Sequence, residues 1–326
     1  MGNIDLTALE IFKTVVEQGG IAKAANRLRR VPSNVTTRVK QLEERLGTKL
    51  FVRGNRRLVL SAEGKRLLGY ADRLLRLSAE AEAALRNGSP AGAFQIGALE
   101  STAATRLPPI LSRYHRSYPE VRLELVTGTT GALIAKVMNH EVEAAFVAEP
   151  FSADDLEGDP VFCEELVLIT PKSFRKIKTP SDIGRTTLIA FSTGCSYRRR
   201  LEAWLGGAKV VPERVMEFSS YHAIVACVAA GAGIAIVPRS VIRVSVAASG
   251  VATYALPSAV SKARTFFVWR QGHQSIALDA MRAEIGRTTR QAPILTLATG
   301  ASRFCRRRAC ARGARICSKT AGSFVR

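Results

Sequence analysis

The chain has 326 residues, 47% of them hydrophobic, so it can bury a sizeable core and divide into two or three domains. Lys and Arg number 48 against 27 Asp and Glu, a formal charge of +21, which points to a polyanionic partner if localised and only to solubility if spread. No apolar run reaches the length of a membrane span and the six cysteines show no CxxC spacing, so no membrane, disulfide framework, metal or cofactor is expected.

The charge is localised. Residues 1–87 carry 17 basic and 9 acidic side chains, residues 282–326 carry 11 and 1, and the long middle carries 20 and 17. That pattern fits a nucleic-acid-binding head on a body with another task. Asp5 and Glu10 interrupt the N-terminus where a secretory signal would need an apolar core, so a cytoplasmic location is expected.

Leu9, Phe12 and Val16 repeat at helical spacing, and Gly19-Gly20 ends that helix. Ile21, Ala24, Ala25 and Leu28 predict a second, short helix whose alanines admit a close neighbour. A third follows, with Pro32 in its first turn, Val35, Val39, Leu42 and Leu46 as its buried stripe, and Gly47 as its stop. The opposite face opens with Ser33, Asn34, Thr36, Thr37 and Arg38. Two short helices with a tight turn, the second polar at its front, describe a helix-turn-helix. Short hydroxyls and an amide suit base edges in a major groove, and Arg38 can reach guanine or phosphate. The plainer reading is a solvated amphipathic helix with Ser33 as its N-cap. "LFVRGNRRLVLS" then predicts a hairpin turning at Gly54-Asn55, with Arg53, Arg56 and Arg57 at its tip, a basic wing for phosphates or the minor groove. Ser61 caps a long helix in which Leu67, Ala71, Leu74, Ser78, Ala81 and Leu85 form a heptad seam, either for dimerisation or for packing onto its own domain.

These stretches resemble the winged helix-turn-helix of LysR-type transcriptional regulators, through "AANRL", "VKQLEERLGTKLFVR" and "LSAEG". By position, the resemblance implies DNA contacts at Pro32, Ser33, Thr36, Thr37 and Arg53. Where the family usually has Ser-Gln-Pro, this chain has Val31, Pro32 and Ser33. The missing glutamine leaves base reading to Asn34 or Arg38.

The middle alternates strands ("FQIGAL", "VRLELVTG", "AAFVAEP", "ELVLITP", "TTLIAFS", "VVPERVMEFSS", "ATYAL", "TFFVWR") with helical stretches, which predicts an α/β fold with a largely parallel sheet. "STAATRLPPILSRYHRSYP" reads as a loop into a helix, and the last helix starts near Ser275. "LPPILSRYHRSYPEVRLEL" and "VAAGAGIAIVP" resemble the family's effector domain, which is similar to periplasmic binding proteins. The resemblance implies a two-lobed α/β body with a ligand cleft. The expected division is a DNA-binding domain at 1–62, a linker helix at 63–90 and an effector domain at 91–290. Its lobe I covers about 94–163 and 265–290, its lobe II about 164–264, and a basic tail follows at 291–326.

Ligands in such folds sit beyond the carboxyl ends of strands. Three strand ends carry hydroxyls: Ser101 and Thr102; Thr129 and Thr130; Ser192, Thr193 and Ser196. Together they suit a small carboxylate or similar polar molecule, whereas singly each is an N-cap. Phe146, Val147, Phe218 and Tyr221 are candidate apolar walls. Cys195 and His222 lack an orienting third group, and "GAGIAIV" lies after a helix and before a strand, the reverse of a phosphate loop, so no enzyme is expected. The arginine-rich end is either a DNA-attracting arm or an extension without function. The expected function is operator binding as a dimer or tetramer under control of a small-molecule effector, with RNA polymerase as a further partner if the protein activates. The competing reading is an architectural DNA-binding protein without a ligand response.

Overall fold

The computed structural model describes residues 4–54, 57–86, 89–152, 154–174 and 176–291. Arg56, all but the first residue of the expected tail, and the side chains of Arg53, Arg57 and Leu85 lie outside the described residues.

The head is built from α1 (Leu6–Gln18), α2 (Ile21–Leu28), α3 (Pro32–Leu46), a hairpin of β1 (Phe51–Gly54) and β2 (Arg57–Leu60), and the long α4 (Ala62–Arg86). Gly19 and Gly47 end α1 and α3 in the left-handed conformation that glycine adopts without strain. Ala24 and Ala25 are fully buried, and with Ile11, Val15, Val35 and Val39 they seal α1, α2 and α3 into one core. The N-cap of α3 is Val31, without a side-chain hydrogen bond, so Ser33 lies inside the first turn and is not the cap. Pro32 fixes this start because its ring fits the first helical position. The hairpin pairs Gly54 with Arg57, and the expected turn residue Asn55 lies outside the described residues. Ser61 does cap α4: its Oγ accepts from the N–H of Gly64 at 2.8 Å.

The seam of α4 splits. Leu67 and Ala71 pack into the head core with Leu9, Phe12 and Leu50, so they are not free to meet a second copy. The exposed stripe is instead Tyr70, Leu74 and Leu77, continued by Ala81, at steps of four, three and four.

In the body, β3 (Gly92–Ala98), β4 (Val121–Thr127) and β5 (Ala144–Ala148) run parallel, with α5 (Glu100–Thr105), α6 (Leu107–Ser117) and α7 (Thr130–Met138) between them. The expected loop after β3 is helical in two pieces. Pro108 and Pro109 are tolerated in the first turn of α6 but not deep inside one helix, so the break comes at Arg106. The 16-residue strand β6 (Leu156–Pro171) then spans both lobes. Its first half pairs with β11 (Lys262–Arg270) beside β5, and its second half pairs with β9 (Ala235–Pro238) and β10 (Val251–Ala255). Lobe II adds the parallel pair β7 (Thr187–Phe191) and β8 (Arg214–Phe218), and the helices α8 (Ser196–Gly207), α9 (Tyr221–Ala229), α10 (Arg239–Val244) and α11 (Ser258–Ser261). The closing helix α12 (Ile276–Gln291) returns to lobe I. The sheet is therefore mixed and not largely parallel: β6 and β11 each run antiparallel to their partners because they carry the chain between lobes. Among the described residues no helix is long and apolar enough to cross a membrane.

The linker helix lies against lobe I. Arg76 donates to the His140 carbonyl and, at 3.4 Å, to Gln95 of β3. A cavity of about 830 Å³ remains between them, lined by groups of both signs including Lys13, Asp72 and Glu143. Burial, with Arg270, Arg73 and Arg76 nearby, pushes His140 down to about 4, so it is neutral near pH 7.

Glu43 ties α3 to the hairpin. Its carboxylate is 8% exposed, accepts from the N–H groups of Leu50 and Phe51 at 2.9 and 3.2 Å, and meets Lys49 at 2.8 Å. Burial alone would raise its pKa, but Lys49 and the two N–H groups outweigh burial and hold it below the usual carboxylate value. A lowered folded pKa stabilises above the unfolded value of about 4.3, and that contribution is lost as pH falls through the folded pKa. Glu43→Ala should cost the head about 2 kcal/mol in urea unfolding at pH 7, because two buried N–H groups lose their acceptor. Glu43→Gln should cost less and should remove this part of the acid sensitivity, so an unchanged acid limb would refute the assignment.

Candidate functional site

Two surfaces invite a functional reading, and the first is the front of α3. Val35, Val39 and Leu42 face the core, and Pro32, Ser33, Asn34, Thr36, Thr37 and Arg38 are all exposed. The exposed set is contiguous across the first two turns, at the end where helix dipole and backbone N–H groups favour an anion. Thr36 spends its hydroxyl proton on the carbonyl of Pro32 at 2.9 Å, leaving its methyl and lone pairs outward. The paired strands carry Arg53 and Arg57 in register with Leu58 and Gly54.

The second is the seam between the lobes, where β3, β4 and β5 end. Thr129 caps α7 through the N–H of Ala132. Thr130 Oγ1 both accepts from the N–H of Ala148 and donates to its carbonyl, each at 3.2 Å. Ser196, the first residue of α8 in lobe II, donates to Thr130 Oγ1 at 3.1 Å and lies 2.8 Å from the same carbonyl. Gly194 comes so close that a Cβ there would sit 2.9 Å from Thr129 Oγ1. Two of the three expected hydroxyl clusters thus meet across the seam. Ser192 is half-buried behind them, and Thr193 is exposed and bound to Glu217 at the rim.

Ser101 and Thr102 belong to the same seam but find no hydrogen-bond partner, although they are 2% and 1% exposed. Tyr197 OH of α8 and Thr265 Oγ1 of β11 are likewise buried without one, as is Glu100 Oε2. Burial drives the Tyr197 pKa up, Glu164 adds to that, and the facing hydroxyls of Ser101 and Thr265 only partly offset it, so the phenol keeps its proton. Beside them Glu164, 3% exposed, is satisfied by Arg106 at 2.6 Å and Ser240 at 2.8 Å. A concentration of unpartnered polar atoms in one buried seam is unusual, since each costs about 1–3 kcal/mol unless something pairs with it.

The expected walls are only half present. Tyr221 is buried and stacks on Phe191 at 5.0 Å, and Phe218 is half-buried beside the same helix start. Phe146 is not a wall: it lies in the lobe I core against Phe267 and Phe162. Val147 is buried in the core on the opposite face. All five residues of β5 are buried because this strand is covered on both faces. Glu100, Tyr197 and Thr265 were missed. Glu100 and Tyr197 adjoin Ser101 and Ser196 in sequence, and Thr265 directly precedes the apolar run Phe266–Trp269, so each had a weak local signal. Cys195 Sγ lies 3.6 Å from Tyr221 OH, and His222 faces Glu100.

Thr265→Val should raise the unfolding free energy of the ligand-free protein by about 1 kcal/mol, because it deletes an unpartnered buried hydroxyl at nearly constant shape. Chemical denaturation measures this, and a loss of similar size would mean that water satisfies the hydroxyl.

Two family models match the chain, one over each part. Residues 6–65 match the family model described as bacterial regulatory helix-turn-helix protein, lysR family, and residues 87–290 match the LysR substrate binding domain. The chain is 40% identical over 264 residues to an uncharacterized HTH-type transcriptional regulator, YusT, of Bacillus subtilis (strain 168), covering 81% of this chain and 88% of that one. It is 37% identical to the HTH-type transcriptional regulator GltR of the same strain, covering 82% and 91%. Among solved structures, full-length CbnR complexed with its target DNA shares the fold with a TM-score of 0.64 at 22% identity, covering 87% of this chain and 100% of that one. Full-length OxyR from Pseudomonas aeruginosa does so at 0.64 and 21%, covering 90% and 97%.

Proposed function

This chain belongs to the LysR family of DNA-binding transcriptional regulators, and from that premise we propose that it reads an operator with the front of α3 and is switched by a small polar molecule held between its lobes. The observation that carries the second half is the group of buried, unpartnered polar atoms at Glu100, Ser101, Thr102, Tyr197 and Thr265. A ligand that pairs with them binds a lobe arrangement with the seam lined by these atoms better than one without it. Only such differential affinity can shift the equilibrium between arrangements. An architectural protein without a ligand response would have no use for these atoms.

Two copies are needed for two half-sites. In this reading the contact between copies is the outer stripe Tyr70, Leu74, Leu77 and Ala81 of α4. Such a pair, or a pair of pairs, multiplies weak half-site affinities. The place of action is where the DNA lies, in the cytoplasm, and RNA polymerase joins the assembly if the protein activates.

Asn34→Ala should relax base preference at one operator position by about 1–3 kcal/mol, whereas Arg53→Ala should weaken all duplexes alike and lower the salt slope by about one. Fluorescence anisotropy over a salt series separates the two, and a change of base preference in the arginine variant would reverse the assignment. Leu77→Glu, at a position 61% exposed in the single chain, should dissociate the oligomer in analytical ultracentrifugation while half-site binding survives. An intact oligomer would place the contact elsewhere.

A further inference from the structure

Glu100 opens α5 in lobe I and points at the start of α9 in lobe II. Its side chain is 19% exposed, and Oε2 is buried with no hydrogen-bond partner. Its other oxygen is 3.8 Å from His222 Nδ1. Burial raises its pKa, and the Tyr221 N–H, His222 and the Ser220 hydroxyl only partly offset that. Three arginines at the seam meet carboxylates of their own, whereas the exposed Arg199 donates to the Pro150 carbonyl at 2.8 Å and lies 3.5 Å from Ser196 Oγ. Arg106 is bound to Glu164 at 2.6 Å, Arg200 meets Glu149 at 3.4 Å, and Arg198 is held by Glu202 at 2.7 Å and by Glu217. The seam therefore presents a desolvated carboxylate oxygen at Glu100, next in sequence to Ser101 and Thr102, and among the described residues no Lys or Arg is paired with it. A buried carboxylate is stabilised best by a charge-assisted donor, and an anion placed against it would add repulsion in a poorly screened setting.

We propose that the effector is an ammonium-bearing molecule, an amine or amino acid, whose cationic group is received by Glu100 while the neighbouring hydroxyls bind its remaining polar atoms. This rests on the reading of the seam as the ligand site and names the ligand chemistry for it. The strand-end hydroxyls alone fit a simple carboxylate, but Glu100 makes selection depend on the positive end. A carboxylate elsewhere on the same molecule is compatible with the start of α8, which has no side-chain cap.

The test uses the full chain, with thermal shift and titration calorimetry over the standard amino acids and simple primary amines, each paired with its deaminated counterpart of the same skeleton. The expected result is that at least one amine-bearing member binds and that its deaminated counterpart binds tenfold or more weakly, about 1.4 kcal/mol. Glu100→Gln should abolish that preference while leaving duplex binding by the head intact, which also reports that the variant is folded. His222→Ala removes the competing imidazole and should tighten the amine, an effect that a merely structural role for Glu100 would not produce. Deaminated members binding as tightly as their amines, or a preference indifferent to Glu100→Gln and His222→Ala, would overturn the proposal and leave the ligand site standing. If neither class shifts the melting temperature of the wild-type chain, the ligand site itself is refuted, and the proposal with it.

Discussion

The lobes of this protein are joined by two strands, of which β6 pairs into both. β6 pairs with β11 over its first half and with β9 and β10 over its second, and β11 returns the chain to lobe I. Lobes so joined cannot slide apart, so their relative motion is confined to bending where the strands cross between them. The seam lies on that crossing. The register of β11 against β6 shifts between Thr265 and Phe266, at the residue whose hydroxyl is buried without a partner. A bulge re-aims side chains and increases local twist. Here it accompanies a polar atom in a strand whose neighbours Ala263 and Phe267 are fully buried.

The same constraint sorts the polar groups at the seam into two sets. Thr130, Ser196 and the Ala148 carbonyl satisfy one another and hold α7 against α8, and Arg106, Glu164 and Ser240 do the same around the crossing strand. These networks are complete and therefore stabilise. Glu100, Ser101, Thr102, Tyr197 and Thr265 are incomplete and therefore destabilise the arrangement in which they are buried. Complete networks fix the frame; incomplete ones leave free energy to be recovered by a ligand. An apolar seam would be more stable and would respond to nothing.

Much of the head was legible because local rules decide it. Gly19, Gly47, Pro32 and Ser61 act within their own turns, and the Ala24-Ala25 pair is needed wherever two short helices cross closely. The seam of α4 was misread by its register. Leu67 and Ala71 share the periodicity of Leu74, and nothing in the spacing says that the helix changes neighbour after its first turns. In the body, Phe146 was misplaced because a central strand covered on both faces has no alternation from which a cleft side can be read. Helix α8 was hidden by "SYRRRLEAW", whose three consecutive arginines resemble a surface loop until Arg198 is seen with Glu202 and Glu217 and Arg200 with Glu149. Glu100 was passed over for a similar reason. Its significance comes from α9, more than a hundred residues later, closing over it.

Strand β3 connects the two ends of the molecule. Near its start, Gln95 accepts from Arg76 of the linker helix and donates to Glu124 of β4 at 2.6 Å. Five residues later the same chain presents Glu100 and Ser101 to the seam, about 17 Å away at the usual rise of an extended strand. Between them Ile96 and Ala98 are fully buried and Gly97 leaves no room for a side chain against Leu133 and Ala145, so this stretch moves as one piece with lobe I. A ligand that draws lobe II toward Glu100 therefore acts on the element to which the linker helix is fastened. In the proposed reading lobe I is then the fixed reference, rotation of lobe II changes the surface that a second copy meets, and the outer stripe of α4 and the seam hydroxyls act as parts of one device.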